Sequence, residues 1–205
     1  MKVLKGLLVK IMNKEDVLNE FRDAGALLEG HFILSSGLHS SKYLQCALAL
    51  SDPLRAERLS KALSQKITDE IKEKIDIVVS PAMGGLIIGH EVARSLKVPF
   101  VFLERVNGIF ELRRGFSIKS KSNCLLVEDI VTTGLSSNES IDVIIDNGGK
   151  VIGEACLIDR SCGKADLNTN LVSLTSFDIP TFDSDNIPDD LINIPAIKPG
   201  SRNLT

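Results

Sequence analysis

The chain has 205 residues, of which 43% are hydrophobic and 25% are charged, a composition that predicts a globular protein with a sizeable core. Its formal net charge of −3 gives no support to broad nucleic-acid binding, and no apolar run is long enough to cross a membrane. The apolar N-terminal segment, residues 1–12, is interrupted by Lys10 and lacks a small-residue cleavage site. It predicts a first helix or strand, and we expect one domain over residues 1–205 with no nucleic-acid or membrane partner.

The four cysteines, at positions 46, 124, 156 and 162, show neither close pairing nor the spacing of metal ligands. Cys124 and Cys156 fall inside predicted core strands, where we expect them to act as small apolar side chains. This pattern favours a reducing, cytoplasmic environment.

The first predicted helix begins after Asn13, which can cap it, and ends near Gly25. Two strand-like pieces, His31–Leu34 and Tyr43–Ala47, then flank a Ser-Ser-Gly turn and predict a hairpin. Composition alone gives Tyr43, the only tyrosine, a half-buried place in a strand.

Next comes a predicted amphipathic helix in which Asp52 is the cap and Pro53 is the first residue. Its apolar positions recur every four residues, at Leu59, Leu63, Ile67 and Ile71. A buried strand over Ile77–Val79 then leads through the turn Ser80–Gly85 into another helix. Glycines in such a turn let backbone N–H groups approach an anion, although taken alone the stretch is better explained as a plain turn.

A further strand, Val98–Leu103, leads into a predicted turn at residues 104–108 that contains Arg105. Beyond it, Ile109–Leu112 and Phe116–Ile118 predict the two arms of a hairpin with Arg113-Arg114 at its bend. A solvent-exposed hairpin explains these two arginines about as well as a role at an anionic site does.

The stretch Cys124–Ser137 organises the chain. The apolar run Cys124–Val127 predicts a strand buried on both faces, and two acids, Glu128 and Asp129, follow it. The acids can hold the hydroxyl groups of a sugar or a hydrated Mg²⁺. An ordinary strand end with solvated acids is the alternative.

A turn of small residues, Thr132-Thr133-Gly134, separates the acids from a predicted helix that Ser136 or Ser137 can cap. The apolar positions of that helix include Ile141, Ile144 and Ile145. The N–H groups of the turn and the positive end of the helix attract a phosphate group.

The last long predicted strand, Val151–Ile158, ends in Asp159-Arg160. A guanidinium at this place suits a carboxylate, since the two groups form parallel hydrogen bonds, and a surface Asp–Arg pair is the alternative. Leu171–Leu174 predicts a final strand, and the tail contains one short helix near Asp189–Ile192.

The stretch Cys124–Ser137 resembles the 5-phosphoribosyl-1-pyrophosphate (PRPP) motif of type I phosphoribosyltransferases, and only Leu135 departs from it. The resemblance implies that Glu128 and Asp129 are catalytic and that Mg²⁺ arrives with PRPP, without direct protein ligands. It implies a PRPP-binding set made of the glycine turn, the motif and one basic residue: Met83, Gly84, Gly85, Glu128, Asp129, Ile130, Val131, Thr132, Thr133, Gly134, Leu135, Ser136 and Arg105.

The predicted hairpin looks like the hood of orotate phosphoribosyltransferases, which implies that Tyr43, Thr132 and Arg160 contact orotate. Ser35 stands where many members carry a lysine, and Lys42 is a candidate replacement. Arg105 matches a basic position of the family's mobile loop and is expected to be catalytic there.

The resemblance implies an α/β fold with a doubly wound, mostly parallel sheet and a hood contributed mainly by residues 1–50. The implied reaction transfers phosphoribosyl from PRPP to orotate, giving orotidine 5′-monophosphate and pyrophosphate in UMP biosynthesis, by a cytoplasmic homodimer. A purine phosphoribosyltransferase and a non-enzymatic PRPP-sensing regulator are the alternatives.

Overall fold

The structure is a computed structural model that describes residues 12–34 and 37–199. Most of the N-terminal segment with a predicted helix or strand, and Ser35 in the hairpin turn, lie outside these residues. The described helices are α1 (Lys14–Asp23), α2 (Cys46–Leu50), α3 (Pro53–Glu70), α4 (Gly85–Leu96), α5 (Leu135–Asp146) and α6 (Asp189–Ile192). The described strands are β1 (Leu27–Ile33), β2 (His39–Leu44), β3 (Ile77–Pro81), β4 (Phe100–Val106), β5 (Ile109–Leu112), β6 (Asn123–Val131), β7 (Lys150–Asp159), β8 (Leu171–Ser176) and β9 (Thr181–Phe182).

The larger sheet has six strands in the order β5-β4-β3-β6-β7-β8. All neighbours are parallel except β4 and β5, which pair antiparallel. The chain runs outward from β3 to β5, and then returns to the other side of β3 and runs outward from β6 to β8. The order therefore reverses between β3 and β6, the position where open α/β sheets form a crevice at the carboxyl ends of their strands.

Helices cover both faces of this sheet, as the doubly wound prediction requires. The larger apolar cluster joins α1, α3 and α4 to one face, where Phe21, Leu63 and Ile88 are fully buried. The smaller cluster joins α5 to the other face through Ile141 and Ile144. None of the helices in the described ranges is long and apolar enough to cross a membrane.

The sequence signals for helix starts are confirmed at two helices. Asn13 and Asp16 form a reciprocal capping box at α1, and Asp52 accepts a hydrogen bond from the Leu54 N–H at the start of α3. The prediction was wrong for α5, where Gly134 is the cap residue and neither Ser136 nor Ser137 caps the helix. Ile145 was also misplaced, since it is 55% exposed.

The hood is a three-stranded antiparallel sheet in the order β1-β2-β9. The predicted strand Tyr43–Ala47 ends earlier, at Leu44, because α2 begins at Cys46 and buries Cys46, Ala49 and Leu50 in the larger core. Leu171–Leu174 lies in β8 and is not the final strand, since β9 follows it and pairs with β2.

The end of the chain also contributes to the hood. The Ile33 N–H donates to the Ile197 carbonyl at 2.8 Å, and the Ile197 N–H donates to the His31 carbonyl at 2.8 Å. The short helix predicted near the end is confirmed as α6. Residues far beyond position 50 thus help to build the hood.

The second arm of the predicted Phe116–Ile118 hairpin is not a strand. β5 pairs with β4 instead, with Arg105 opposite Phe110. Phe116 turns back toward β4, where its ring packs edge-on against the ring of Phe102, with the two ring centres 5.1 Å apart. Ile118 is buried in the smaller core. The segment is apolar because it covers the end of the sheet.

Candidate active site

A cavity of about 660 Å³ opens at the carboxyl ends of β3, β4 and β6, where the strand order reverses. Two of the elements around it are the turns that lead into α4 and α5, which pack on opposite faces of the sheet. Its lining includes Gly84, Arg105, Glu128, Asp129, Ser136 and Glu139. The fold therefore brings together the glycine turn, the acid pair and the start of α5.

Glu128 is 7% exposed near the end of β6. Burial raises the pKa of its carboxyl well above the ordinary value, and the neighbouring carboxyls of Asp129 and Glu154 raise it further. The Arg105 guanidinium acts in the opposite direction. Glu128 is thus a poorly solvated acid, whose negative form needs a donor or a cation beside it.

Asp129 points to the other face of β6, since successive side chains of a strand alternate. Burial raises the pKa of its carboxyl, while the N–H of Ile130, 3.0 Å from Oδ1, and the Cys46 thiol both lower it by hydrogen bonding. The acid pair therefore presents two carboxyl groups with different partners to one cavity.

Arg105 lies in strand β4, so its predicted place in a loop is wrong. Its guanidinium donates to Glu139 Oε2 and to the Gly108 carbonyl, each at 2.5 Å, and lies 3.9 Å from the centre of the Phe110 ring. These contacts hold the cation on the same cavity as the acid pair of its own chain.

The turn that joins β6 to α5 exposes Thr132 and Thr133 and then places Gly134 at φ +88°. A Cβ at Gly134 would lie 2.8 Å from the Asp166 carbonyl oxygen, so a larger residue does not fit there. The first intrahelical hydrogen bond of α5 runs from the Asn138 N–H to the Gly134 carbonyl, at 2.9 Å. The N–H groups of residues 135–137 are therefore not used within the helix. Apart from a long hydrogen bond of 3.4 Å from the Leu135 N–H to Thr133 Oγ1, they are available to an anion.

Other predicted members of the PRPP set differ in how their side chains lie. Leu135 and Ser136 line the cavity, while Met83 is 79% exposed. Ile130 packs against the larger core and Val131 is 2% exposed, so neither side chain lies free in the cavity.

The glycine turn lies directly against the end of β6. A Cβ at Gly84 would lie 2.7 Å from Asp129 Oδ1, and a Cβ at Gly85 would lie 2.9 Å from the Val127 carbonyl oxygen. Two residues without side chains therefore allow the turn and the start of α4 to approach β6 closely at the cavity.

Arg160 follows β7, and its buried Nε has no hydrogen-bond partner in the described part of the chain. Burial lowers the pKa of its guanidinium, while Tyr43, Cys46 and Asp178 act in the opposite direction. Tyr43 lies on β2, and burial raises the pKa of its hydroxyl, with smaller effects from Cys46, Arg160 and Asp129. The hood strand thus meets the ends of β6 and β7.

Three other candidates lie at the surface, and two of them form ion pairs there. Arg114 donates to both carboxylate oxygens of Glu104, at 2.9 and 2.7 Å, and Lys42 pairs with Glu29 at 3.1 Å. Arg113 is exposed beside the turn. Such solvated pairs contribute little to stability.

The sequence did not predict that Cys46 and Glu139 lie at the site. Cys46 was assigned to a strand because the apolar run after Tyr43 hides the change from β2 to α2. Glu139 carried a usable signal, since it lies four residues after Leu135 on α5 and so shares its face.

Comparisons with known proteins show which family the chain is similar to. Residues 49–190 match the family described as the phosphoribosyl transferase domain. The orotate phosphoribosyltransferase of Erythrobacter litoralis is 54% identical over 191 residues, which cover 93% of this chain and 99% of that protein. The protein of the same name from Parvibaculum lavamentivorans is 54% identical over 193 residues, covering 94% of this chain and 100% of that protein.

Among solved structures, the crystal structure of orotate phosphoribosyltransferase from Aeropyrum pernix superposes with a TM-score of 0.62. It is 27% identical, and the match covers 78% of this chain and 93% of that chain.

The two glycines of the turn should respond differently to an alanine substitution. In Gly84→Ala the new methyl group meets the end of the Asp129 side chain, which can shift by rotation, whereas in Gly85→Ala it meets the backbone of β6. We expect Gly85→Ala to lower the free energy of unfolding by about 2 kcal/mol and Gly84→Ala by less than about 1 kcal/mol. Urea titration measures both, and an equal or larger loss in Gly84→Ala would contradict this account.

Proposed function

Since this chain belongs to the orotate phosphoribosyltransferase family, we propose that its cavity is the place where PRPP and orotate react. The activity is that of a glycosyltransferase in pyrimidine biosynthesis: PRPP and orotate give orotidine 5′-monophosphate and pyrophosphate. The observation that supports this location best is the acid pair at the end of β6. It lies between the glycine turn and the start of α5, whose first N–H groups have no acceptor within the helix.

Glu128 and Asp129 hold the 2′- and 3′-hydroxyl groups of the ribose. As the bond to pyrophosphate lengthens, the ring gains positive charge, and the N1 atom of orotate approaches it. Negative charge on the two carboxyls is costly without a cationic partner, because both groups are buried. Their raised pKa values reflect this cost. Their attraction to the ring is therefore strongest in the transition state, which is the condition for lowering the barrier.

The two phosphate ends of PRPP bind on either side of the acids. The turn and helix start, Thr132–Ser136, hold the 5′-phosphate, and the turn Ala82–Gly85 holds the pyrophosphate through backbone N–H groups. Arg105 lies on the same cavity and balances the charge of the leaving pyrophosphate. Catalysis then consists mainly of positioning and electrostatic preorganisation.

Mg²⁺ fits this site as a partner of PRPP. The residues at 12–34 and 37–199 include no group of three or more His, Cys, Asp or Glu that could hold a metal ion. The cavity nevertheless carries carboxylate oxygens, which suit a hydrated Mg²⁺. Bound to PRPP, the ion neutralises negative charge on the leaving group, and we assign it no protein ligand.

Orotate binds between the hood and the end of β7. Arg160 receives the carboxylate, Tyr43 covers the ring, and Thr132 contributes from the neighbouring turn. The buried, unpartnered Nε of Arg160 supports this assignment, since a buried donor without an acceptor is costly. A purine base has no carboxylate for Arg160, which disfavours the purine alternative.

Asp129→Asn tests the role of the acid pair. The substitution preserves the shape of the side chain and removes its charge, so we expect turnover to fall by about 10²-fold with the fold retained. The assay follows the loss of orotate absorbance with PRPP and Mg²⁺. Glu111→Gln, on the exposed surface of β5, is the matched control and should keep its turnover. Near-normal turnover in a folded Asp129→Asn protein would refute the assignment.

Arg160→Gln tests the orotate site. Because the lost contact is with the carboxylate of the base, the KM for orotate should rise by about 10-fold or more and the KM for PRPP should change little. Assays with uracil, which lacks the carboxylate, and with adenine show whether the preference for orotate depends on Arg160. An unchanged KM for orotate would remove Arg160 from the site.

We also propose that the protein is a cytoplasmic homodimer, formed by a single phosphoribosyltransferase domain in each subunit. The edge strand β5 exposes Ile109 by 68% and offers an apolar surface to a second copy. Light scattering should give a molar mass twice that of one chain, and the Ile109→Lys substitution should reduce this measured mass. A monomer at the concentrations used for the activity assay would contradict the dimer.

A further inference from the structure

Glu154 is a carboxyl residue buried in the middle of the larger sheet. It lies on β7, where it pairs with Leu126 of β6 and Leu171 of β8, and its exposure is 0%. It is not part of the cavity lining given above, so it does not act by touching the substrates. A carboxyl at such a place is costly, since an apolar residue of similar size would fill the same space without a desolvation cost.

The one hydrogen bond recorded for its side chain leads to the start of α5. Ser137 Oγ donates to Glu154 Oε1 at 2.6 Å. Ser137 is the third residue of α5 and is 2% exposed, so the bond is shielded from water. Oε2 has no partner in the described part of the chain. The contact fixes the first turn of the helix to the sheet beneath it.

The groups that interact with Glu154 are acidic or neutral. Burial raises its pKa to about 7, and the Ser137 hydroxyl lowers it only in part. Glu154 in turn raises the pKa of Glu128 on β6. It also raises the pKa of Cys156, which lies on β7 like Glu154 itself. α5 contributes the Ser137 hydroxyl, and no cation is recorded in contact with the carboxyl among the described residues.

We propose that Glu154 is a positioning residue that fixes the first turn of α5 for the 5′-phosphate of PRPP and sets the charge beneath that turn. This inference depends on the PRPP site proposed above. When Glu154 is neutral, the N–H groups of residues 135–137 meet the phosphate without an opposing charge below them. When it is ionised, a buried negative charge adds to Glu128 and repels the polyanionic substrate.

Three variants separate the hydrogen bond from the charge. Glu154→Gln keeps an acceptor for Ser137 and cannot ionise, whereas Glu154→Leu and Ser137→Ala each remove the bond. Because the bond is made before the reaction, its loss should appear in the KM for PRPP. We expect that KM to rise by about 10-fold in Glu154→Leu and Ser137→Ala, and by less than about 3-fold in Glu154→Gln at pH 6. The turnover and the KM for orotate should stay within about 2-fold of the parent protein.

The pH profile reports the charge. With a pKa of about 7, Glu154 is mostly protonated at pH 6 and mostly ionised at pH 8. The KM for PRPP of the parent protein, divided by that of Glu154→Gln, should therefore rise by about 3-fold or more from pH 6 to pH 8. Groups whose titration does not depend on Glu154, including the phosphates of PRPP, cancel in this ratio.

Two outcomes would overturn the proposal: an unchanged KM for PRPP in folded Ser137→Ala, or a ratio that does not vary with pH. If Glu154→Leu does not fold, Ser137→Ala and Glu154→Gln still decide. The result for Asp129→Asn distinguishes a failure of the Glu154 proposal from a failure of the PRPP site itself. If that variant is inactive while Ser137→Ala and Glu154→Gln behave like the parent, only the role of Glu154 fails. If Asp129→Asn is active, the site itself is misassigned.

Discussion

The central constraint on this molecule is the burial of carboxyl groups on two neighbouring inner strands, β6 and β7. Glu128, Asp129 and Glu154 lie on β6 and β7 with little access to water, and each has a raised pKa. Their negative forms are stable only beside donors or cations. The nearby polar contacts answer this need: Arg105 acts on Glu128, the Ile130 N–H and the Cys46 thiol act on Asp129, and Ser137 acts on Glu154.

The main features of the fold could be predicted because they depend on local patterns. Buried parallel strands appear as uninterrupted apolar runs, and two of them, β3 and β6, are each followed by a turn and a helix. The capping residues Asn13 and Asp52 act within a few residues of their own positions, and both predictions are confirmed. The acid pair and the glycine turn fall together because the carboxyl ends of parallel neighbours meet at one edge.

The remaining features depend on contacts between distant segments, which no local pattern contains. Phe116 and Ile118 have the composition of a strand but serve to cover the end of the sheet, since β5 already pairs with β4. Arg105 was placed in a turn because the strand continues through Glu104 and Arg105, two charged residues that propensity alone assigns to a loop. The bond between Ser137 and Glu154 spans 17 residues and joins the start of α5 to the middle of the strand that follows it, so neither residue signals the other.

The hood has an unusual relation to the order of the chain. Its first two strands belong to the earliest described part of the sequence, but β9 and Ile197 close it from the far end. During synthesis, segments near the N-terminus leave the ribosome first and can begin to fold. β1 and β2 must therefore wait, as a two-stranded hairpin of marginal stability, until nearly the whole polypeptide has emerged. The hood is thus completed late, and a nascent chain that stops short of residue 181 carries the buried carboxyls of β6 without its third strand.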